Sequence, residues 1–376
     1  MSKTKILFIS HDASRTGAPT SLLHIIKYLK SKLDLEVTTL FKVDGPLSME
    51  FRKEGEVLIW PTHVPTPFHR RVINRILKSH QRKQHNFIDK IKRSNYDLIY
   101  ANTAATSDLV ALFEDKQIPC FMHVHELNVI IKSFCGEEAF NKASKKIDRF
   151  FAVSGLVEKM LINDFIIPKN KITKVYEPVP YDRSFSIENK NQNDSFTVVG
   201  CGTLDWRKGP DIFLTIARQL FLTAPDSKIN FIWVGGNLHS HDYLVLENDI
   251  RLAQLQNKVS FTGEMSNPVD VFKQARCFLL TSREDPFPLV CLENANVGNP
   301  IICFKQTTGM SEVINENNGF CADYLDIGAV VAELLKMSTD YAYYNNKSEN
   351  IRLLAEKFSP DIVVRPILNE ISRVLN

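Results

Sequence analysis

Short apolar segments alternate with amphipathic segments along the first half of the chain. Segments of this kind are typical of buried parallel strands that are covered by helices on both faces of a sheet. Between the first two apolar segments, apolar residues recur at helical spacing from residue 20 to about residue 30. The predicted strands of this half span residues 5–10, 36–41, 57–59, 97–102, 120–124, 149–154 and 172–176.

The same alternation starts again after a polar segment at residues 186–195, which is predicted to be a linker. Because 376 residues are too many for one ordinary core, two α/β domains are predicted, at residues 1–185 and 186–359, with a ligand cleft between them. A last helix, at residues 360–376, is predicted to pack back on the first domain. The predicted strands of the second half span residues 196–200, 229–234, 259–262, 277–281, 300–304 and 320–322.

Composition favours a cytoplasmic globular protein. No apolar run approaches the ~18 residues that a membrane-spanning helix needs, and the N-terminus lacks the apolar core of a signal peptide. The seven cysteines are scattered without a CxxC pair, which favours buried thiols over disulfides or a zinc site. We therefore expect no bound metal.

Charge is distributed unevenly between the two predicted domains. Residues 1–185 carry a net charge of +9 and the remainder −6. Apolar residues at helical spacing accompany a basic cluster at residues 68–93, so an amphipathic helix is predicted there. Two interpretations stay open: attachment to an anionic membrane surface, at about 1 kcal/mol per basic residue, and a solvated helix face. The basic residues are Arg70, Arg71, Arg75, Lys78, Arg82, Lys83, Lys90, Lys92 and Arg93.

An acidic segment at residues 281–295 follows a predicted strand and leads into a helix. Pro288 suits the helix start, and backbone N–H groups at such a start attract phosphate. Asp285 and Glu293 lie eight positions apart, which places one in the loop and the other about one turn into the helix. This separation fits one acid near a sugar and another that binds a ribose diol. The alternative is that Asp285 caps the helix and Glu293 is solvated.

A glycine-containing basic segment, residues 200–211, lies between the first predicted strand of the second domain and its helix. Phosphates bind at this position in doubly wound folds. Arg207 and Lys208 offer charge-assisted hydrogen bonds of roughly 1.5–3 kcal/mol each; a solvated basic turn is the alternative. The absence of a Walker P-loop and of a GxGxxG sequence argues against kinases and NAD-dependent dehydrogenases.

Two segments of the first half carry further candidate residues. Gly17, after the first strand, permits close approach of the backbone to a ligand. His123 and His125 end a later strand and share one face, because strand side chains alternate. A structural histidine and a metal site of His123, His125 and Glu126 are the alternatives to an active-site role.

The acidic segment resembles the E-x7-E signature of retaining GT-B glycosyltransferases, especially family 4, with Asp285 in place of the first glutamate. The basic segment is similar to the G-R-x(n)-K-G element of that family, with Thr203 in place of the usual first arginine. The resemblance extends over nearly the whole chain. It implies the GT-B fold: two Rossmann-like doubly wound parallel-sheet domains with an interdomain cleft.

The resemblance also implies roles for individual residues. The implied catalytic residues are His125, Asp285, Arg207 and Lys208, and Asp285→Asn and Lys208→Ala are each expected to lose most activity while remaining folded. The implied donor-binding residues are Gly17, Gly202, Thr203, Arg207, Lys208, Gly263, Glu264, Asp285, Phe287, Pro288, Leu289, Val290 and Glu293. The residues expected on the acceptor side are Arg15, Thr16, Asn102 and Ser154.

The function implied is retaining transfer of a hexose-type sugar from a UDP- or GDP-sugar to a glycan or lipid-linked acceptor, without a metal or cofactor. The resemblance places this reaction in cell-surface polysaccharide or lipopolysaccharide synthesis, in the cytoplasm or on the inner face of the plasma membrane. Two other functions stay open: a sugar-nucleotide epimerase or hydrolase, and a non-catalytic nucleotide-sugar-binding subunit. Nucleic-acid binding is disfavoured, because the basic segment lacks interleaved aromatic residues and the second half is acidic.

Overall fold

The computed structural model describes residues 3–61, 84, 86–114, 117–182 and 195–375. The chain divides into two compact α/β units. The first contains Met1–Val153, Val157–Pro178 and Val363–Asn376, and the second contains Ser154–Leu156 and Val179–Ile362. The predicted domain boundary at 185/186 and residues 186–194 of the predicted linker lie outside the described residues.

The first unit is built on a seven-stranded parallel sheet in the order β3-β2-β1-β4-β5-β6-β7. The strand order reverses between β1 and β4, and ligands of doubly wound folds bind outside the carboxyl ends of strands at such a point. The strands are β1 Thr4–Asp12, β2 Leu35–Val43, β3 Glu56–Ile59, β4 Leu98–Asn102, β5 Cys120–Val124, β6 Arg149–Ala152 and β7 Ile172–Lys174.

The second unit repeats this plan with a six-stranded parallel sheet in the order β10-β9-β8-β11-β12-β13. Here the order reverses between β8 and β11, which are therefore neighbours although about 75 residues of chain separate them. The strands are β8 Thr197–Cys201, β9 Asn230–Val234, β10 Val259–Phe261, β11 Cys277–Leu280, β12 Ile301–Phe304 and β13 Gly319–Ala322.

Helices connect these strands, as right-handed crossovers between parallel strands require. α-Helices span Gly17–Lys32, Ser48–Glu54, Ser107–Ala111, Asn128–Ile130, Glu137–Ser144, Gly155–Asn163, Pro210–Thr223, His241–Leu252, Val269–Gln274, Leu289–Asn296, Ile327–Thr339, Tyr341–Glu356, Pro360–Val363 and Arg365–Leu375. A π-helix spans Ile131–Gly136, and 3-10 turns span Ala104–Thr106, Lys169–Lys171 and Gly309–Glu312.

Aromatic packing holds the helix Pro210–Thr223 against the second sheet. Phe213 on this helix meets Trp233 of β9 edge-on, with ring centroids 5.3 Å apart. Gly200 on β8 leaves room for this contact, since a Cβ there would lie 2.7 Å from the Trp233 ring. The segment between β8 and this helix is therefore anchored at both ends.

The structure confirms the two doubly wound sheets, and each predicted strand lies within two residues of an observed one. The prediction of one continuous helix at residues 360–376 is wrong. Two helices occur instead, Pro360–Val363 and Arg365–Leu375, because Pro366 has no N–H and suits only the first turn of a new helix. The helix Arg365–Leu375 is part of the first unit, where Glu370 pairs with Arg149 at 3.2 Å.

Most of the predicted basic amphipathic helix at residues 68–93 lies outside the described residues, which omit 62–83 and 85. Residues 86–93 are helical. Within the described parts of the chain, no helix has the length and apolar character needed to cross a bilayer. The membrane-binding hypothesis therefore stays a prediction.

Candidate active site

Two loops of the second unit meet at the carboxyl ends of β8 and β11. One contains residues 202–209 and the other residues 281–288. The Arg283 N–H donates to the Arg207 carbonyl at 2.7 Å, and the Thr281 hydroxyl donates to the Lys208 carbonyl at 3.1 Å. The basic and acidic segments identified in the sequence therefore form one structural site.

An ion pair joins the two loops. The Lys208 ammonium donates to Oδ2 of Asp285 at 2.6 Å, and the Ser282 hydroxyl donates to the same oxygen at 3.2 Å. The side chains of Lys208 and Asp285 are only 15% and 6% exposed. Asp285 does not cap the following helix, whose N-cap residue is Pro288. The sequence-based alternative of a simple helix cap is therefore wrong.

Glycines allow the loops to approach each other this closely. Gly209 has φ +70°, and a Cβ at this position would lie 2.4 Å from the Thr281 carbonyl oxygen. Gly202 has φ +152°, and its Cβ would lie 2.9 Å from Cγ of Lys208. Larger residues at either position would displace the Lys208 side chain or separate the loops.

Two arginines hold the backbone of the site. Arg207 donates to the Glu284 carbonyl at 3.3 Å, so part of its hydrogen bonding is used inside the protein. Arg283 forms a bidentate pair with Asp211, at 2.9 and 2.6 Å, and also donates to the Trp206 carbonyl at 2.8 Å. Sequence reasoning gave Arg283 and Asp211 no role, although both lie inside the segments it singled out.

Glu293 lies half-buried on the helix Leu289–Asn296, and burial raises the pKa of its carboxyl group. Burial also raises the pKa of the Cys201 thiol to about 12, with smaller opposing effects from Lys208 and Glu293. Both charged groups therefore lie within electrostatic range of the same thiol. The structure pairs Lys208 with Asp285 and places Glu293 on the helix that follows the Asp285 loop.

The other predicted donor-binding residues differ in their exposure and surroundings. Thr203 is exposed, and its hydroxyl donates to Asp205 at 2.6 Å. Gly263 follows β10 and accepts from the Gly235 N–H at 2.9 Å, while Glu264 is exposed. Phe287 is 3% exposed and packs 5.4 Å from the Phe358 ring.

The helix start after Phe287 is also largely enclosed. Pro288 and Leu289 are buried, and Val290 is half-buried. Because these side chains are enclosed, the backbone is the part of the segment that is suited to contact a ligand. The donor-binding role of these residues stays a prediction.

In the first unit, His125 follows β5 and is held between two oxygen atoms. Its Nδ1 lies 2.6 Å from Oε1 of Glu177, and its Nε2 lies 2.8 Å from Oδ1 of Asn102. The side chains of His125 and Glu177 are 6% and 5% exposed. Burial opposes protonation, but the charge and hydrogen bond of Glu177 outweigh it, so the pKa of His125 is raised.

A strained turn follows β4 and is hydrogen-bonded to the end of β5. Thr103, a β-branched residue, adopts φ +88° directly after Asn102. Backbone strain of this kind costs about 1–3 kcal/mol and persists only where the surroundings enforce it. Here the Thr103 N–H donates to the His123 carbonyl at 2.8 Å, and one oxygen of Glu126 accepts from the N–H groups of Ala104 and His125 at 3.0 and 2.9 Å.

His123 is a core residue. It is fully buried, its Nδ1 lies 2.9 Å from the Tyr100 hydroxyl, and burial lowers its pKa well below the usual value. Its ring centroid lies 4.2 Å from that of His125. Within the described ranges, no group of three or more His, Cys, Asp or Glu side chains is arranged to hold a metal ion.

The residues expected on the acceptor side do not share one environment. Arg15, Thr16 and Gly17 are exposed at the start of the helix Gly17–Lys32. Asn102 is fully buried as a partner of His125, and Ser154 is buried and belongs by its contacts to the second unit. Glu177 was noted in the sequence as an acid at the end of a predicted strand, but it was given no catalytic or binding role.

Comparison with known proteins identifies relatives for both halves of the chain. The family described as Glycosyltransferase Family 4 matches residues 15–183, and the family described as Glycosyl transferases group 1 matches residues 182–354. An uncharacterized glycosyltransferase of Haemophilus influenzae is 22% identical over 53% of this chain and 50% of its own length. The alpha-galactosylglucosyldiacylglycerol synthase of Streptococcus pneumoniae is 27% identical over 43% and 46%.

The chain thus spans about half the length of these two curated relatives. Solved structures resemble it over nearly its full length. The Anabaena protein HepE, solved with UDP and glucose, superposes with a TM-score of 0.77 over 98% of this chain and 99% of its own, at 19% identity. At that identity the likeness shows a common fold.

Proposed function

The chain belongs to the family 4, group 1 glycosyltransferases with the GT-B fold, and from this premise we propose that it transfers a hexose-type sugar from a nucleotide-diphosphate sugar to a glycan or lipid-linked acceptor. The observation that carries the proposal is the buried Lys208–Asp285 pair between β8 and β11. This is the position at which doubly wound sheets bind phosphorylated ligands.

The pair suits a leaving group that gains negative charge. An ammonium group has three donors, so Lys208 can keep its bond to Asp285 and still donate to a diphosphate. The start of the helix Leu289–Asn296 adds backbone N–H groups and a favourable dipole. Groups that are already in place when charge develops stabilise a transition state strongly.

The proposed reaction retains the configuration of the sugar and needs neither a metal nor a cofactor. The bond between the anomeric carbon and the diphosphate breaks, the acceptor oxygen attacks on the same face, and the leaving phosphate takes the acceptor proton. Asp285 orients sugar hydroxyls in this scheme and forms no bond to the sugar. Its engagement with Lys208 and Ser282 supports an orienting role.

Ligand-induced stabilisation tests donor binding directly. We expect UDP- or GDP-sugars to raise the melting temperature, since a ligand at 100 times its Kd adds about 2.7 kcal/mol of stability. UDP-glucose comes first, because HepE was solved with UDP and glucose, and other UDP-sugars, GDP-sugars and ADP-glucose complete the panel. Absence of any shift across the panel would contradict the proposal.

Incubation with donor alone separates an epimerase or hydrolase, which converts the donor without an acceptor, from a transferase.

We further propose a lipid-linked or polysaccharide acceptor in cell-surface synthesis, at the inner face of the plasma membrane. Support comes from the Streptococcus pneumoniae relative, whose name is that of a diacylglycerol glycolipid synthase, and from the basic residues at 68–93. In a flotation assay, we expect liposomes that contain anionic lipid to recover more protein than neutral liposomes. Equal and negligible recovery from both would remove membrane attachment from the proposal.

Glu293→Gln is expected to stabilise the free protein and weaken donor binding. Burial raises the folded-state pKa of Glu293 above its unfolded value. Stability is therefore lost as pH rises from the unfolded pKa through the folded one, and the ionised form is destabilising at neutral pH. Glutamine avoids this loss but binds a ribose diol less well, so nucleotide affinity should fall roughly 10- to 100-fold.

Scanning calorimetry between pH 4 and 8 and titration calorimetry with the nucleotide measure the two effects. Glu349→Gln, at an exposed position of the same unit, is the matched control and should change neither. A lower melting temperature for Glu293→Gln at neutral pH would contradict the argument.

A further inference from the structure

Both ring nitrogens of His125 face hydrogen-bond acceptors. Glu177 presents a carboxylate oxygen to Nδ1 at 2.6 Å, in surroundings where both side chains are almost fully buried. An ionised carboxylate can only accept a hydrogen bond. With Glu177 ionised, Nδ1 of His125 must carry a proton.

The orientation of the Asn102 side chain decides the state of the second nitrogen. An amide presents a donor on one side and an acceptor on the other. The Asn102 amide nitrogen lies 3.0 Å from the carbonyl oxygen of Ala18, which can only accept. The amide oxygen is therefore the atom 2.8 Å from Nε2 of His125, and that nitrogen must also carry a proton.

A neutral imidazole has only one N–H, so this set of partners is satisfied by the imidazolium form alone. The charged groups around it agree with that form. Glu177 contacts the ring, Glu126 contributes a second negative charge nearby, and the neighbouring His123 is held neutral by burial. Asn102 ends β4, directly before the strained turn at Thr103, and its amide is held by the Ala18 carbonyl.

We propose that Glu177 and Asn102 are positioning residues that hold His125 as a fixed, doubly protonated ring in the transfer reaction, so that His125 supplies positive charge and does not accept the acceptor proton. The role in the reaction rests on the proposed function. This role of His125 agrees with the proposed scheme, in which the leaving phosphate of the donor takes the proton of the acceptor. No proton moves at His125, and no bond forms or breaks there.

The protonation state is measured on the full-length protein labelled with 15N-histidine, with His125→Gln used to assign the signals. At pH 7.5 we expect both His125 nitrogens of the wild type to give N–H signals. Glu177→Gln keeps the shape and removes the charge. Loss of an opposite charge at this distance lowers a histidine pKa by about 1–3 units, so the ring should lose one proton at a lower pH.

Two controls separate this effect from general damage. Glu177→Asp retains a carboxylate and is expected to keep both protons on His125 at pH 7.5. Glu370→Gln breaks the Arg149–Glu370 ion pair elsewhere in the same unit and should leave the His125 signals unchanged. In transfer assays, Glu177→Gln is expected to shift the alkaline limb of the activity profile to lower pH, and Glu370→Gln is not.

A singly protonated His125 in the wild type would overturn the proposal, and so would a His125 pKa that Glu177→Gln leaves unchanged. The NMR result needs no nucleotide sugar. If the protein binds no sugar nucleotide but His125 is doubly protonated, the proposed function fails and the assigned protonation state stands. If transfer occurs and His125 is neutral, the function stands and the positioning role fails.

Discussion

Lys208→Met is expected to lower kcat of sugar transfer by on the order of 10² to 10³, the usual effect of removing one donor to developing negative charge. It should also destabilise the second unit. Asp285, 6% exposed, would keep the Ser282 hydroxyl but lose its cationic partner. Breaking one side of a buried ion pair typically costs about 3–5 kcal/mol. Steady-state transfer assays and denaturant unfolding measure the two effects.

A set of variants separates the chemical role of the pair from its structural role. Asp285→Asn can still accept from Lys208 and Ser282, so it should lose activity with a smaller loss of stability than Lys208→Met. The double variant Lys208→Met/Asp285→Asn leaves no buried charge at this position, so it should recover part of that stability and remain inactive. Recovery of activity in the double variant would contradict a catalytic role for the pair.

An exposed ion pair of the same unit provides the matched control. Lys305 and Asp323 lie 2.8 Å apart, with side chains 54% and 77% exposed. Exposed pairs contribute little to stability, because water and salt screen the two charges. Lys305→Met should therefore change the free energy of unfolding little and leave kcat unchanged.

Lys347→Met is expected to be the most destabilising substitution outside the candidate site. The Lys347 side chain is 1% exposed, and its ammonium donates to the carbonyls of Glu316 and Gly319, both at 2.6 Å. It also pairs with Glu333 at 3.2 Å. Methionine fills the space but leaves a buried carboxylate and two carbonyls without this cation. We expect the free energy of unfolding to fall by about 3–5 kcal/mol.

For a unit of this size the melting temperature should fall by about 10 °C. In the variant the Tyr343 hydroxyl still lies within hydrogen-bond distance of both oxygens of Glu333, at 3.0 and 3.1 Å. We therefore expect a loss of stability in the lower half of the range of about 3–5 kcal/mol. Lys336→Met is the matched control, since Lys336 is exposed and contacts the same tyrosine ring at 3.7 Å. A change below 1 kcal/mol for Lys347→Met, measured by urea unfolding, would show that the buried cation is dispensable.

The sheets were predictable because their strands carry a local signal. A strand covered on both faces must be apolar throughout, so segments such as 5–10 and 120–124 stand out in the sequence. Errors occur at the ends, where local composition competes with the folded context. Pro366 divides the predicted terminal helix into two, for a reason that was already visible in the sequence.

The candidate site was predictable in composition but not in its pairings. The sequence placed Lys208 and Asp285 in loops after strands, which favoured phosphate and sugar binding. It also led us to expect that Asp285→Asn and Lys208→Ala would lose most activity while remaining folded. The buried pair adds an expected loss of stability for substitutions of Lys208, because burial of a charge has an energetic consequence only once the surrounding side chains are in place.

By itself, the sequence determined the strands, the loops at their ends and the charged residues those loops carry, since each depends on neighbouring positions. Only the tertiary structure decided which charges meet. Strand order brings β8 beside β11 and so Lys208 to Asp285, and the fold of the first unit brings Glu177 to His125 across 52 positions. Contacts over such separations, and the desolvation that makes them strong, exist only in the folded chain.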